Sequence, residues 1–211
     1  IYTPQISFVV SPGISNSEKI SNEDSSVNSY TIENNNSLNR FTGTDKLDNS
    51  KRLNLSFNIN NEYLGASFLQ SYEFTDNSNY HYSQGNEKKL SDLLGEFNYK
   101  NNSYETGYDV RYDPHNQFIK SQKLTLNYAN KFGDFSADYL DQKSKVDEII
   151  FSDNETLNYK FSSKKINKYS KISYVGLYDL KKEINTESGL SYSYFDECFG
   201  INIDFKRNSY T

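Results

Sequence analysis

The sequence is poor in the residues that most often carry cross-links, metal sites and catalysis. Its 211 residues include one cysteine, two histidines, three prolines and no tryptophan. With a single cysteine, Cys198, no disulfide bond can close within the chain. The histidines, His81 and His115, lie in separate predicted loops, and no spacing of His, Cys and Asp is typical of a metal site.

Motifs for catalysis and nucleotide binding are also missing. No serine lies in a nucleophile motif, and glycines such as Gly13, Gly43 and Gly133 belong to no phosphate-binding pattern. We therefore predict that the protein is not an enzyme and that it uses no cofactor and no metal ion.

Long apolar runs and concentrated positive charge are missing as well. No apolar segment approaches the roughly 20 residues that a membrane-spanning helix requires. The formal net charge is -5, and lysine and arginine are scattered along the chain. This distribution excludes the basic surface typical of proteins that bind nucleic acid.

What the sequence does have is many aromatic residues in a polar background. Aromatic residues make up 16% of the chain, with 19 Tyr and 14 Phe, although hydrophobic residues reach only 35%. The mean hydropathy is -0.85. Disordered chains are poor in aromatic residues, so this composition disfavours disorder. It favours β-strands with one apolar and one polar face.

Alternation with period two confirms this preference along the sequence and is clearest from Tyr104 to Asp113. Successive side chains of a strand point to opposite faces, so such segments separate an apolar surface from a polar one. The side chains that we expect to face a watery lumen are Glu105, Asp109, Arg111, Asn202 and Asp204. The side chains that we expect to face lipid include Tyr108, Val110, Phe199, Ile201, Ile203 and Phe205.

The pattern predicts about eleven strands, several of them about ten residues long, the length that a tilted strand needs to cross a bilayer. They lie near residues 4–10, 51–59, 63–74, 91–100, 103–112, 119–130, 134–142, 155–161, 168–179, 184–195 and 198–206.

The predicted connections alternate in length. Short ones fall near residues 60–61, 101–102, 132–133, 162–167 and 196–197, and longer ones at 11–50, 75–90, 113–118, 143–154 and 180–183. Transmembrane barrels have short periplasmic turns and longer extracellular loops. We therefore predict an all-β, antiparallel transmembrane β-barrel fold with a long extracellular loop at about 11–50 and with Cys198 at the periplasmic end.

A soluble antiparallel sandwich would produce the same alternation, but its apolar faces would pack on each other. The charged second face and the long Asn-rich loops favour the membrane barrel. A structure that sealed Phe199, Ile201, Ile203 and Phe205, or Tyr108 and Val110, in a dry interior would contradict this interpretation.

Two stretches of the sequence resemble the LptD family of lipopolysaccharide-assembly proteins. The sequence has Asn22-Glu23-Asp24-Ser25 and then Asn39-Arg40-Phe41-Thr42-Gly43-Thr44-Asp45-Lys46, which are similar to the N-E-D-S and N-R-F-S-G-x-D-R motifs of that family, with Lys46 where Arg is usual. Asp196-Glu197-Cys198 is similar to the D-E-C corner near the C-terminus of the family barrel. Asn34-Asn35-Asn36 stands where the family usually has N-L-F, which predicts a weaker packing role for this loop. Between residues 60 and 185 the resemblance is to barrel patterning only.

The resemblance implies that residues 1–211 belong to an outer-membrane β-barrel domain that inserts lipopolysaccharide into the outer leaflet. It implies contact with lipopolysaccharide and membrane lipid, an LptE-like plug lipoprotein in the lumen, and an LptA-like periplasmic bridge that acts through an N-terminal domain. Because family barrels have more strands, we expect a barrel fragment that does not close by itself. The alternatives are another outer-membrane channel or receptor, and a soluble cell-surface β-sandwich that binds a ligand.

The resemblance also implies roles for individual residues. The family cysteine that matches Cys198 pairs with a cysteine of the N-terminal periplasmic domain, in an oxidising compartment. The alternative for Cys198 is an isolated thiol that acts as a small apolar residue. Asp24, Arg40 and Asp45 are expected to form a charged network in the loop that folds into the extracellular mouth, or else to be solvated loop charges.

Overall fold

A computed structural model describes residues 1–12, 26–27, 30–42, 48–75, 88–146, 149–164 and 166–209. Within these ranges the secondary structure consists of β-strands joined by turns and loops. The strands are β1 Tyr2–Pro12, β2 Ser26–Val27, β3 Phe41–Thr42, β4 Asn49–Asn60, β5 Leu64–Glu73, β6 Leu93–Lys100, β7 Tyr104–Asp113, β8 Phe118–Ala129, β9 Gly133–Val146, β10 Ile149–Ser163, β11 Ser170–Asp179, β12 Ile184–Phe195 and β13 Gly200–Asn208.

Eleven of these strands form one antiparallel sheet, in the order β1-β4-β5-β6-β7-β8-β9-β10-β11-β12-β13. Strands β2 and β3 form a separate two-stranded ladder. Among the described residues β13 does not pair with β1, so the sheet is open. The predicted all-β, antiparallel barrel fragment that does not close by itself is confirmed.

The chain divides into two compact units, each built from parts of several strands. Unit 1 comprises Ile1–Phe97, Val110–Lys120 and Ser144–Phe151, and unit 2 comprises Asn98–Asp109, Ser121–Lys143 and Ser152–Thr211. A search of the described residues finds no helix with the length and apolar character needed to span a membrane.

All eleven predicted strands are present, but two of them are much longer than predicted. Strands β9 and β10 together leave just residues 147–148 between them, so the predicted loop at 143–154 is wrong. Val146, Ile149 and Ile150 favour a strand, which explains why the hairpin continues beyond the alternating part of the sequence. The predicted loops near 113–118 and 180–183 are four-residue turns. Among the connections between the described strands of the large sheet, those at residues 13–48 and 74–92 are long.

The short turns share one device, an Asn or Asp side chain at the first turn position. Its oxygen accepts hydrogen bonds from the backbone N–H groups two and three residues ahead, which fixes the turn locally. At Asn130, for example, Oδ1 lies 2.7 Å from the N of Phe132 and 3.1 Å from the N of Gly133. The same arrangement occurs at Asn61, Asn101, Asn167, Asp179 and Asp196.

The register of the strands places large apolar side chains together on one exposed face. In unit 1, Ile6 pairs with Leu55 and Phe57 with Phe68, and all four side chains are exposed. In unit 2, Leu190 pairs with Phe205, whose side chain is 66% exposed. In each unit we call this surface the apolar face and the opposite one the polar face.

The side chains chosen as a test of the two-faced pattern are not sealed in a dry interior. Phe199, Ile201, Ile203 and Phe205 are exposed, and Tyr108 and Val110 are half-buried. A sandwich would have to cover these side chains with a second large sheet, whereas the second sheet among the described strands is the short β2-β3 ladder. The arrangement therefore favours a barrel wall over a soluble sandwich.

Candidate functional site

The most deeply buried side chains of unit 1 are polar, and they lie where residues 30–42 cover the polar face of β4 and β5. A small apolar cluster of Tyr30, Leu69 and Leu94 accompanies them. Arg52 and Glu73 are directly paired across β4 and β5, and Ser50 shares their face two positions along β4. The charged group is completed by Arg40 and Asp48, and we call Arg40, Asp48, Ser50, Arg52 and Glu73 the buried ion cluster.

Two guanidinium groups face two carboxylates in this cluster. Arg40 holds both oxygens of Asp48, with Nε 2.7 Å from Oδ2 and Nη2 3.3 Å from Oδ1. Its Nη2 also lies 3.2 Å from Oε2 of Glu73. Arg52 Nη1 is 3.5 Å from Asp48 Oδ2. A buried charge without a partner is strongly destabilising, so the pairing of opposite charges among these four groups favours their burial.

The Glu73 carboxylate connects the cluster to the backbone of β4. Its Oε2 accepts a 2.5 Å hydrogen bond from Ser50 Oγ. Its Oε1 accepts hydrogen bonds from Lys51 N at 2.8 Å and Thr75 Oγ1 at 2.5 Å. Hydrogen bonds to an ionised acceptor are stronger than neutral ones, so Glu73 fixes the positions of its donors.

Arg52 and Asn54 hold the overlying segment through its backbone. Arg52 Nε and Nη2 donate to the Asn35 carbonyl at 3.1 and 2.9 Å, and Nη2 also donates to the Ser37 carbonyl. Asn54 Nδ2 donates to the Asn35 carbonyl at 3.2 Å and to Asn36 Oδ1 at 3.0 Å. Asn35 is 1% exposed, so the expected weak packing of this loop is wrong. The physical reason is that β4 recognises a main-chain carbonyl, which does not require Leu or Phe at these positions.

Tyr30 anchors the start of the same segment. Ser91 Oγ donates to its hydroxyl at 3.1 Å, and Arg111 Nη2 donates to its carbonyl at 2.6 Å. Burial raises the pKa of the Tyr30 hydroxyl above its ordinary value, so this side chain stays neutral. Arg111, which the sequence predicts to face the lumen, thus contacts the segment that covers the polar face.

The other predicted lumen residues lie in unit 2. Asp109 and Glu105 are exposed, and Glu105 Oε2 is 3.9 Å from Lys100 Nζ. Asn202 and Asp204 are brought together, because Asn202 Nδ2 donates to Asp204 Oδ2 at 2.6 Å. Ser193 and Ser191 on β12 donate to Asn202 Oδ1 at 2.6 Å and to Asp204 Oδ1 at 2.5 Å. Their orientation toward a lumen stays a prediction.

Part of the predicted motif loop cannot be compared with the structure. Asn22, Glu23, Asp24, Ser25, Gly43 and Asp45 lie outside the described residues. Of the predicted network of Asp24, Arg40 and Asp45, the structure describes Arg40, whose partners include Asp48 and Glu73. Phe41 is buried. The sequence reasoning missed Asp48, Ser50 and Glu73, although the charged Arg52 and Glu73 on neighbouring predicted strands were a signal for paired burial.

Cys198 is exposed and lies in the turn between β12 and β13. The predicted strand at 198–206 begins at Gly200 instead, because Asp196 Oδ1 accepts hydrogen bonds from Cys198 N at 2.9 Å and Phe199 N at 2.8 Å. These two hydrogen bonds lower the pKa of the Asp196 carboxyl. Strand parity therefore does not assign Cys198 to either face of the sheet.

Comparison with known proteins gives one family match. The model of the family described as "LptD: LPS transport system D" matches residues 2–192. The matched range contains the whole buried ion cluster and ends before Asp196 and Cys198. A search of curated proteins finds no match.

Proposed function

Since the chain belongs to the LptD family, whose members transport lipopolysaccharide at the outer membrane, we propose that it forms part of the barrel that assembles lipopolysaccharide into the outer leaflet. The step is transport without covalent chemistry. The family match over residues 2–192 is the observation that carries this proposal.

The two faces of the sheet support this role physically. The apolar face exposes Ile6, Phe8 and Leu55 in a way that suits contact with acyl chains, while the polar face can solvate sugar and phosphate groups. Hydrocarbon cannot satisfy free backbone groups, so in a membrane the edges of β1 and β13 need strand partners. A working barrel therefore has these two edges paired, either with further strands or with each other.

The buried ion cluster suits a cover at one mouth of such a barrel. It holds residues 30–42 against the polar face of β4 and β5. These residues belong to the connection at 13–48, which is much longer than the turns at the opposite ends of the strands. Because long barrel loops are extracellular, we assign this cover to the cell-surface side. An extracellular cover limits leakage through the lumen while lipopolysaccharide leaves toward the membrane.

The proposal extends to partners that the family resemblance implies. An LptE-like lipoprotein would occupy the lumen, and an LptA-like bridge would deliver lipopolysaccharide through an N-terminal periplasmic domain. Cys198, exposed in a short turn, is proposed to form a disulfide with a cysteine outside this chain, since the chain has no second cysteine.

Depletion of the full-length protein in its own host tests the function. Lipopolysaccharide at the cell surface is quantified with a label that does not cross the membrane and is compared with total lipopolysaccharide. We expect the surface fraction to fall while the total persists, and a plasmid copy to restore it. Loss of small-solute uptake with normal surface lipopolysaccharide would instead identify a porin-like channel and overturn the proposal.

The proposed disulfide is tested separately in full-length protein purified without reductant. We expect gel mobility to change on reduction and Cys198→Ser to remove that change. Rapid labelling of the Cys198 thiol in unreduced protein would contradict the disulfide without affecting the transport proposal.

A further inference from the structure

A cavity of about 430 Å³ lies in unit 2, beside the short turns at 101–103 and 130–132. It is lined by the ends of β6 to β11. Its charged lining consists of Lys100, Glu105, Asp134, Lys160 and Lys171. This volume lies within the range of about 300–1,000 Å³ that is usual for small-molecule binding pockets.

Strand register places the cavity on the polar face. Lys171 pairs with Ser193, which pairs with Asn202. Lys160 lies on the same face of β10 as Ser162, which pairs with Ser173 and, through it, with Ser191. The cavity therefore opens on the surface that also carries Asn202 and Asp204.

The lining of the cavity has a net positive formal charge, whereas the chain as a whole is negative. Three ammonium groups and two carboxylates line it, whereas the whole chain has a net charge of -5. Lys100 has an acidic neighbour, with Glu105 Oε2 at 3.9 Å. In the part of the chain that the structure describes, no carboxylate oxygen lies within ion-pair distance of Lys160 or Lys171. Lys160 and Lys171, both exposed, therefore present two positive charges on neighbouring strands to which an anion can bind.

The rest of the lining fits a sugar. Asn127, Ser136 and Ser162 supply amide and hydroxyl groups, which can donate to and accept from sugar hydroxyls. Lysine is a common binder of phosphate, to which it acts as a compact point charge. Together these groups match a phosphorylated saccharide better than a neutral sugar or an apolar molecule.

We propose that this cavity, the lysine pocket, binds the phosphate-bearing sugar headgroup of lipopolysaccharide. The choice of lipopolysaccharide as the carrier of that headgroup rests on the proposed function, whereas the preference for a sugar phosphate rests on the lining of the pocket. Since the short turns are on the predicted periplasmic side, the pocket would engage the headgroup as it enters the barrel.

Binding of fluorescent lipopolysaccharide to the full-length protein in detergent tests the proposal. We expect Lys160→Gln with Lys171→Gln to weaken binding about tenfold, as loss of contacts to a charged group does. Lys206→Gln is the matched control. Lys206 lies on the polar face of β13, as Asn202 and Asp204 do, but outside the lining of the pocket. Lys160→Arg with Lys171→Arg keeps the charge and should retain most of the binding, which separates a lost contact from a misfolded barrel.

Two further ligands identify what the pocket reads. Chemically dephosphorylated lipopolysaccharide should bind wild type and the double Gln variant equally. Competition by inorganic phosphate would show that phosphate alone is recognised, and its failure to compete would show that the sugar is needed; both support the pocket. Equal binding of phosphorylated lipopolysaccharide to wild type, the double Gln variant and the Lys206→Gln control would overturn it. The two proposals can fail separately. If depletion leaves surface lipopolysaccharide unchanged, the transport proposal is refuted, but the pocket proposal still holds if the lysine variants weaken headgroup binding.

Discussion

Arg52 and Glu73 face each other across β4 and β5, and the Ser50 hydroxyl joins them. Ser50 Oγ accepts a 3.0 Å hydrogen bond from Arg52 Nη1 and donates a 2.5 Å hydrogen bond to Glu73 Oε2. Arg52 uses its other nitrogens for the carbonyl of Asn35. One cross-strand pair therefore both stabilises the sheet and determines where residues 30–42 attach to it.

Removing the Arg52 guanidinium should release this segment. Arg52→Ala leaves Asp48 and Glu73 with fewer buried partners, and breaking a buried pair costs about 3–5 kcal/mol. We expect residues 30–42 to become sensitive to added protease while the strands stay protected, as measured by mass spectrometry of the fragments. Lys51→Ala is the matched control, since Lys51 is the neighbouring cation and is exposed. Equal protease sensitivity of the two variants would show that Arg52 does not hold the segment.

Arg40 and Asp48 should behave as one energetic unit. Their two-point contact, at 2.7 and 3.3 Å, is buried, so each single change to Ala removes a close partner of opposite charge from the residue that remains. We expect the double variant to lose less unfolding free energy than the sum of the single variants, with a coupling of about 0.5–3 kcal/mol. Denaturant unfolding of the four proteins in detergent measures this difference. Strict additivity would mean that the pair contributes no specific interaction.

Gly133 at the start of β9 should not tolerate a methyl group. A Cβ at this position would lie 2.6 Å from the Ser162 carbonyl oxygen, and that oxygen belongs to the backbone. We expect Gly133→Ala to destabilise the protein by about 1–3 kcal/mol, the usual cost of overpacking. Gly189→Ala is a milder comparison, because its nearest contact is a methyl group of Val175 at 3.0 Å. The thermal unfolding temperature of Gly133→Ala should therefore be lower than that of Gly189→Ala. The reverse order would contradict the geometry.

The turn that carries Cys198 should loosen in acid. The N–H groups of Cys198 and Phe199 lower the pKa of Asp196 below its ordinary value of 3.8, so the folded turn favours the carboxylate. Its contribution to stability is present above pH 3.8 and is lost as the pH falls through the lower folded value. Carbon-13 NMR of labelled aspartate carboxyl groups, with Asp196→Asn to assign the signal, should give a midpoint below 3.8. A midpoint at or above that value would rule out the hydrogen-bonded turn.

Local signals in the sequence were sufficient for most of the sheet. Alternation predicted every large strand, because the side-chain period of a strand is visible in any segment with two different faces. Ends were less reliable where a local cap overrides the alternation, as at Asp196, or where a hairpin runs on beyond it, as in β9 and β10.

The candidate site was harder to predict than the strands. Arg40 lies in a recognisable motif, but its partners Asp48 and Glu73 do not, and Glu73 is brought close by the pairing of β4 with β5. The lysine pocket needs side chains from six strand ends, a combination that depends on register and is invisible in any short window.

The burial of charged side chains and the exposure of apolar ones affect how the chain folds. Its fully buried side chains include Arg52 and Asp48, whereas Ile6 and Phe205 are mostly exposed. In water alone the opposite arrangement, with apolar side chains buried and charged ones exposed, is more stable, because the hydrophobic effect removes apolar surface from solvent. Folding of this sheet therefore requires an apolar phase at one face and water at the other. Detergent micelles or a lipid bilayer must be present while the chain folds.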